Sequence, residues 1–270
     1  MNESPLPFFA PGTDPGASFV DLLRRTSSEP AIIQEALSEA LIPEIAHGTT
    51  VVAIRFADGV VLAGDRRATA GFTIASRRIE KVFPADATSG IAIAGAAGPA
   101  VQMVRLFQTQ LEHYEKIEGE PLSLEGKANQ LAILVRSNLP AALRGMVVVP
   151  LFAGYDERRD RGRVFSFDVT GGKYEELDFQ ANGSGGVHAR NWIKSQWRED
   201  IGRDECVELA LRALFAAADE DAATGGPDLV RRIFPTVATI DATGYNALDD
   251  GDVEARAEGV LGGREEGAGL

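Results

Sequence analysis

Two adjacent threonines, Thr49 and Thr50, follow His47-Gly48 where the chain passes from Pro- and Gly-punctuated sequence into a run of β-branched residues. A hydroxyl is a poor nucleophile until a base takes its proton. If the Gly48–Thr49 bond is cut, Thr49 carries both a hydroxyl and a free α-amine. The intrinsic pKa of such an amine is about 7.7 to 8.0, so near neutral pH it can act as the base for its own hydroxyl. Gly48 has no side chain to crowd attack on its carbonyl, which suits self-cleavage. Alone the doublet is a weak signal, because two threonines often open a strand.

Five further features carry possible chemistry, and each also has an ordinary explanation. Gly64-Asp65-Arg66-Arg67 places an acid just after a strand, where turn aspartates are common. Lys81 is by default a solvated charge. Buried beside Asp65 and Thr49, it would favour a neutral amine and stabilise developing negative charge. Ile93-Ala94-Gly95-Ala96-Ala97-Gly98 joins a strand to a helix, where backbone N–H groups suit an oxyanion hole or merely pack tightly. Asn182-Gly183-Ser184-Gly185-Gly186 precedes a helix. Asp221-Ala222-Ala223-Thr224-Gly225-Gly226-Pro227-Asp228 closes one, as Gly and Pro often do.

The elements that must position these residues are legible in outline. Thr49 opens a strand over 49–56, Asp58-Gly59 turns it, and residues 60–63 return as its partner. Further β-like runs fall at 72–75 and 91–94. Apolar residues at Val101, Val104, Phe107, Leu111 and Tyr114 then mark a helix, with Pro99 in its first turn and Gly119 as its stop. A second helix runs over 123–143, bent or shortened by Pro140. Strands follow at 146–155, 163–169 and 174–180, the last two joined by Gly171-Gly172. Helices at 187–196 and 205–222 precede a final hairpin, 236–241 with 245–248. The order predicts an α+β chain, and a four-layer αββα sandwich buries these faces most naturally.

Composition narrows the class. The formal net charge is -13, which opposes binding to phosphate-rich partners and argues against nucleic acid. No apolar run is long enough to span a bilayer, and the N-terminus lacks a basic start followed by an apolar core, so neither membrane nor secretion is expected. The single cysteine, Cys206, fits a reducing compartment and reads as a small buried hydrophobe. A cytoplasmic location is the expectation. His47, His113 and His188 show no metal-ligand spacing, and Trp192 and Trp197 read as helix-packing residues. Residues 1–48 read as a leader with possible short helices at 18–25 and 31–41. The acidic, Gly-rich stretch 249–270 reads as a flexible tail.

Taken together, the motifs in this order resemble the proteasome β-subunit pattern over about residues 47–241. The likeness is greatest to the bacterial, actinobacterial type, which also carries a long leader and a stretch like residues 222–229. The resemblance implies the N-terminal-nucleophile hydrolase fold, with 1–48 a propeptide removed by self-cleavage at Gly48–Thr49 and 49–248 the catalytic domain. It implies Thr49 as nucleophile, Asp65 and Lys81 as its paired acid and lysine, and Gly95 N–H as oxyanion donor. Ser184 would support the amine and Asp221 would orient the region. Many relatives have a serine three residues after that carboxylate, where this chain keeps the hydroxyl as Thr224. A specificity pocket would involve Ala68, Ile79, Ile93, Ala97 and Val101, apolar or small, implying cleavage after hydrophobic residues. Thr69 and Ala97 would offer backbone hydrogen bonds to a bound peptide.

The resemblance also implies a threonine endopeptidase with no cofactor. Its partners would be α subunits, other copies of this chain in seven-membered rings of a four-ring barrel, and a ring-shaped ATPase delivering unfolded or tagged proteins. Other readings are the simpler two-ring bacterial threonine protease, a small-amide hydrolase with an N-terminal nucleophile, and a structural ring subunit without catalysis.

Overall fold

The computed structural model describes residues 48–267, with side chains through residue 262. The expected leader helices and His47 lie outside the described residues. Strand β1 (Thr50–Phe56) turns at Asp58 into β2 (Gly59–Gly64), register Val51 to Gly64 through Phe56 to Gly59. Residues on both strands alternate between two buried faces. Val51, Ala53, Val60 and Leu62 face one apolar cluster, while Val52, Ile54, Val61 and Ala63 face another. A strand with no wet face must be covered on both sides, and that demand generates the layers.

Five strands form the first sheet in the order β10-β1-β2-β11-β12, where β10 is Phe179–Gly183, β11 Thr236–Asp241 and β12 Gly244–Ala247. The second sheet runs β5-β6-β7-β8-β9: Val82–Asp86, Ser89–Gly95, Val148–Asp156, Arg161–Phe167 and Lys173–Glu176. A separate hairpin pairs β3 (Ala68–Ala70) with β4 (Thr73–Ser76). Between the two sheets lie small and β-branched side chains such as Ala53, Ala92, Ala94, Val164 and Ala238. The outer layers hold the larger groups. Helices α1 (Ala97–Glu118) and α2 (Leu124–Ser137) cover the second sheet around Phe107, Phe152 and Phe165. Helices α4 (Gly186–Gln196) and α5 (Arg203–Glu220) cover the first, around Phe215, Leu211 and the fully buried Cys206. This is the expected αββα sandwich.

Helix ends follow local chemistry. Gly119 caps α1 in the left-handed region at φ 76, its N–H donating to Glu115 O at 2.9 Å. Ser123 caps α2 by accepting from Gly126 N. Pro140 ends that helix, leaving the short α3 (Leu139–Ala142).

Three expectations need correction. The strand expected over 174–180 is two strands in different sheets. β9 ends at Glu176, the chain crosses at Leu177-Asp178, and β10 pairs with β1. Asp178 O accepts from Arg55 N at 2.8 Å, anchoring the crossing to the first sheet. β5 was not expected. It carries Pro84, which an edge strand tolerates, and its register slips there. Finally, the expected flexible tail contains helix α6 (Asp250–Gly267). Asp249 caps it by accepting from Asp252 N, and Val253, Ala257 and Val260 are buried against the α5 layer. An interior glycine costs a helix about 1 kcal/mol. Burying a valine returns roughly 1.5–3 kcal/mol, so packing outweighs the glycines.

Candidate active site

Thr49 lies at the mouth of β1, just 5% exposed and still joined to Gly48. The approach to it is narrow. A Cβ on Gly48 would sit 1.9 Å from the Ala223 Cβ, so only glycine fits before Thr49. Gly183 holds φ +102, and a Cβ there would lie 1.8 Å from Thr49 O. That close approach lets Ser184 N–H donate to Thr49 O at 2.9 Å. Ser184 Oγ also accepts from Thr49 N, at 3.4 Å.

Asp65 follows the last residue of β2 and is fully buried. Each of its oxygens takes two donors. Oδ1 accepts from Thr50 N at 2.8 Å and from Lys81 Nζ at 2.6 Å. Oδ2 accepts from Arg67 N and Gly225 N, both at 2.8 Å. Lys81 Nζ also donates to Arg67 O at 2.6 Å, and Lys81 is held at the backbone by Ile93 N–H donating to its carbonyl. Burial is the largest influence on the Lys81 ammonium and pushes it below the ordinary lysine value. The Asp65 charge and hydrogen bond oppose that shift, and the Arg67 charge adds to it.

A second network approaches from α5. Asp221 follows the helix end and accepts from Ser184 Oγ, from Thr224 Oγ1 at 2.6 Å and from Ala223 N at 3.1 Å. Burial alone would raise this carboxyl. The hydrogen bonds from Ser184, Thr224 and Ala223, with the His188 charge, carry it below the ordinary aspartate value instead.

The expected residues converge. Gly48, Thr49, Lys81 and Gly95 line one cleft with Ala68, Ile79, Ile93, Ala97 and Val101. Thr69 touches the residue before Thr49 through its side chain, Oγ1 accepting from Gly48 N at 3.1 Å. Thr224 does not reach Thr49 directly but acts on Thr50 and Asp221. Sequence reasoning missed Thr50, and it missed the backbone donors of Arg67 and Gly225. The Thr-Thr doublet and the Gly-Gly after Thr224 were the available signals. Among the described residues, no group of three or more His, Cys, Asp or Glu side chains is placed to hold a metal.

A four-layer sandwich that presents a threonine at the start of its first strand, beside a buried lysine–aspartate pair, has the architecture of the N-terminal-nucleophile hydrolases. Comparison with known proteins narrows the class. Residues 45–230 match the proteasome subunit family. The chain is 57% identical to a proteasome subunit beta of Acidimicrobium ferrooxidans, covering 92% of this chain and 90% of that one. It is 52% identical to the subunit beta of Acidothermus cellulolyticus, over 96% and 90% of the two chains. With that of Streptomyces griseus it shares 51% identity over 95% and 91%. The chain belongs to the proteasome subunit family, on its β side.

Proposed function

We propose that this chain is a proteasome β subunit whose peptidase nucleophile is Thr49, freed when the Gly48–Thr49 bond is cut. The observation that carries the reading is the cleft itself. Thr49 and Lys81 line it together, and Asp65, the partner of Lys81, holds the next backbone N–H of the same strand.

In the uncut chain, Thr49 Oγ attacks the Gly48 carbonyl carbon. The C–N bond breaks, the Thr49 nitrogen gains the proton, and an ester links Gly48 to the Thr49 oxygen. Water hydrolyses that ester and leaves Thr49 with a free amine. In the cut chain the amine takes the hydroxyl proton, directly or through a water, while Oγ attacks a peptide carbonyl. Gly95 N–H stabilises the oxyanion, the substrate C–N bond breaks as its nitrogen takes that proton from the Thr49 amine, and water then hydrolyses the acyl ester to restore the Thr49 hydroxyl. The Lys81 charge keeps the neighbouring amine neutral. Residues 1–48 are then a propeptide. Ala68, Ile79, Ile93, Ala97 and Val101 give the cleft an apolar face, with Glu80 also in its wall, and that face favours hydrophobic residues before the cut bond. Thr69 and Ala97 hold the substrate strand.

Assembly with other proteasome subunits follows from family membership. α-type subunits, seven-membered rings, an ATPase that feeds unfolded or tagged proteins and a cytoplasmic location complete the proposal. No described helix is long and apolar enough to cross a membrane. Intact mass and N-terminal sequencing of the chain purified with an α-type partner test the reading, with Thr49→Ala alongside. Wild type should begin at Thr49 and hydrolyse peptides, and the variant should keep residues 1–48 and be inactive. A wild-type chain that keeps its leader in an assembled particle would sink it.

A further inference from the structure

Thr50 sits where the two carboxylates of the site meet, and it is fully buried. Its N–H donates to Asp65 Oδ1. Its Oγ1 lies 2.6 Å from Thr224 Oγ1 and accepts from Gly185 N at 3.1 Å. Thr224 Oγ1 in turn reaches Asp221 Oδ2 at 2.6 Å.

The chemistry of the groups fixes the proton order. An ionised carboxylate only accepts, so the single hydroxyl proton of Thr224 is committed to Asp221. The Thr50 hydroxyl must then donate to Thr224, leaving a lone pair for Gly185 N–H. The Ser184 oxygen lies 2.5 Å from Asp221 Oδ2 and 3.5 Å from Thr49 O, so its proton goes to Asp221 and toward the Thr49 nitrogen it can only accept. From Gly185 through Thr50 and Thr224 to Asp221, and from Thr49 through Ser184 to the same carboxylate, every proton has one direction.

We infer that Thr50 is a positioning residue for the chemistry at Thr49: its hydroxyl ties the strand that carries Thr49 to Asp221 and so sets how Ser184 meets the Thr49 nitrogen. This rests on the reading of Thr49 as the nucleophile. Valine has nearly the same shape without the hydroxyl. It leaves Gly185 N–H without that acceptor and Thr224 without that donor. Thr224 then donates less strongly to Asp221, which pulls harder on the Ser184 proton. The more electron-rich Ser184 oxygen favours a protonated Thr49 amine, so the acidic limb of the rate profile moves to higher pH.

The test uses the full chain assembled with its α-type partner and a fluorogenic peptide with a hydrophobic residue before the cut bond. Thr50→Val should lower kcat about tenfold with KM changed less than about twofold, and should move the acidic limb upward. Thr50→Ser should restore both. Thr224→Val should show the same upward movement, and the double variant should be no worse than the poorer single one. Wild-type kcat and pH profile in Thr50→Val, or additive losses in the double variant, overturn the inference. Should Thr50→Val fail to assemble, Thr224→Val decides: an upward acidic limb supports the inference and an unmoved one overturns it. A Thr49→Ala chain that still processes itself and cuts peptide removes the underlying reading instead.

Discussion

Two buried cations stand in opposite parts of this fold, and their surroundings treat them in opposite ways. Arg163, 2% exposed on β8, bonds to three carboxylates: Glu175 through both oxygens at 2.8 and 2.6 Å, Glu125 at 2.7 Å and Asp156 at 3.0 Å. It also lies 4.7 Å over the Phe165 ring. The hydrogen bonds it donates to Glu175, then to Glu125 and Asp156, outweigh burial and raise its pKa above the ordinary arginine value. Lys81, 3% exposed, has one carboxylate, and Asp65 divides its charge among Lys81 and three backbone N–H groups. There burial wins and the pKa falls. Three carboxylates outweigh burial at Arg163, whereas at Lys81 the one shared carboxylate does not. The first arrangement suits a staple between α2, β7, β8 and β9, and the second suits chemistry.

Exchanging the two cations sharpens the contrast. Lys81→Arg keeps the charge but replaces a compact ammonium, 2.6 Å from both Asp65 Oδ1 and Arg67 O, with a larger planar fork. Peptide hydrolysis should fall by about a thousandfold, with the urea midpoint little changed, as measured on assembled particles. Substantial activity in that variant would mean that charge alone, without the placement of a compact ammonium, is what Lys81 supplies. Arg163→Met takes the shared buried cation from three carboxylates, which keep the more exposed Arg159, Arg161 and Lys173, and should cost about 3 kcal/mol of stability, read from denaturant unfolding. Turnover per folded site should stay unchanged, and a selective loss of kcat would break the division drawn above. Arg163→Lys keeps a cation but loses the planar fork that Glu175 grips. It should cost about 1 kcal/mol, the smallest of the three effects.

Much of this was legible in the chain. Gly48-Thr49 and Asp65 flank the β1–β2 hairpin, whose apolar runs are strong, and Ala97 and Val101 open a helix with a clear apolar face, so their elements could be placed, whereas Lys81 adjoins and Ala68 opens short strands that were not expected. The crossing at Leu177-Asp178 was hidden because alternation reports that a segment is extended, not which sheet receives it. α6 was hidden because its glycines and acids mask a stripe of just three small apolar residues, Val253, Ala257 and Val260. Its stability lies in packing on α5. Thr50 escaped notice because a second threonine in a β-branched run satisfies strand propensity already. Its hydrogen bond to Thr224 depends on a loop far along the chain, which only the tertiary fold supplies.

That distance in sequence has a consequence for timing. The groups that hold the start of β1 come from the turn after β2, from the start of α4 and from the loop after α5, where Gly225 donates to Asp65. The strand that flanks β2 is β11, later still. During synthesis the ribosome delivers Thr49 early and its supports late. Long-range contacts of this kind form slowly, because loop closure must precede them. The surroundings of the first strand are therefore completed only when most of the chain has been made, and the order of the sequence itself delays their assembly.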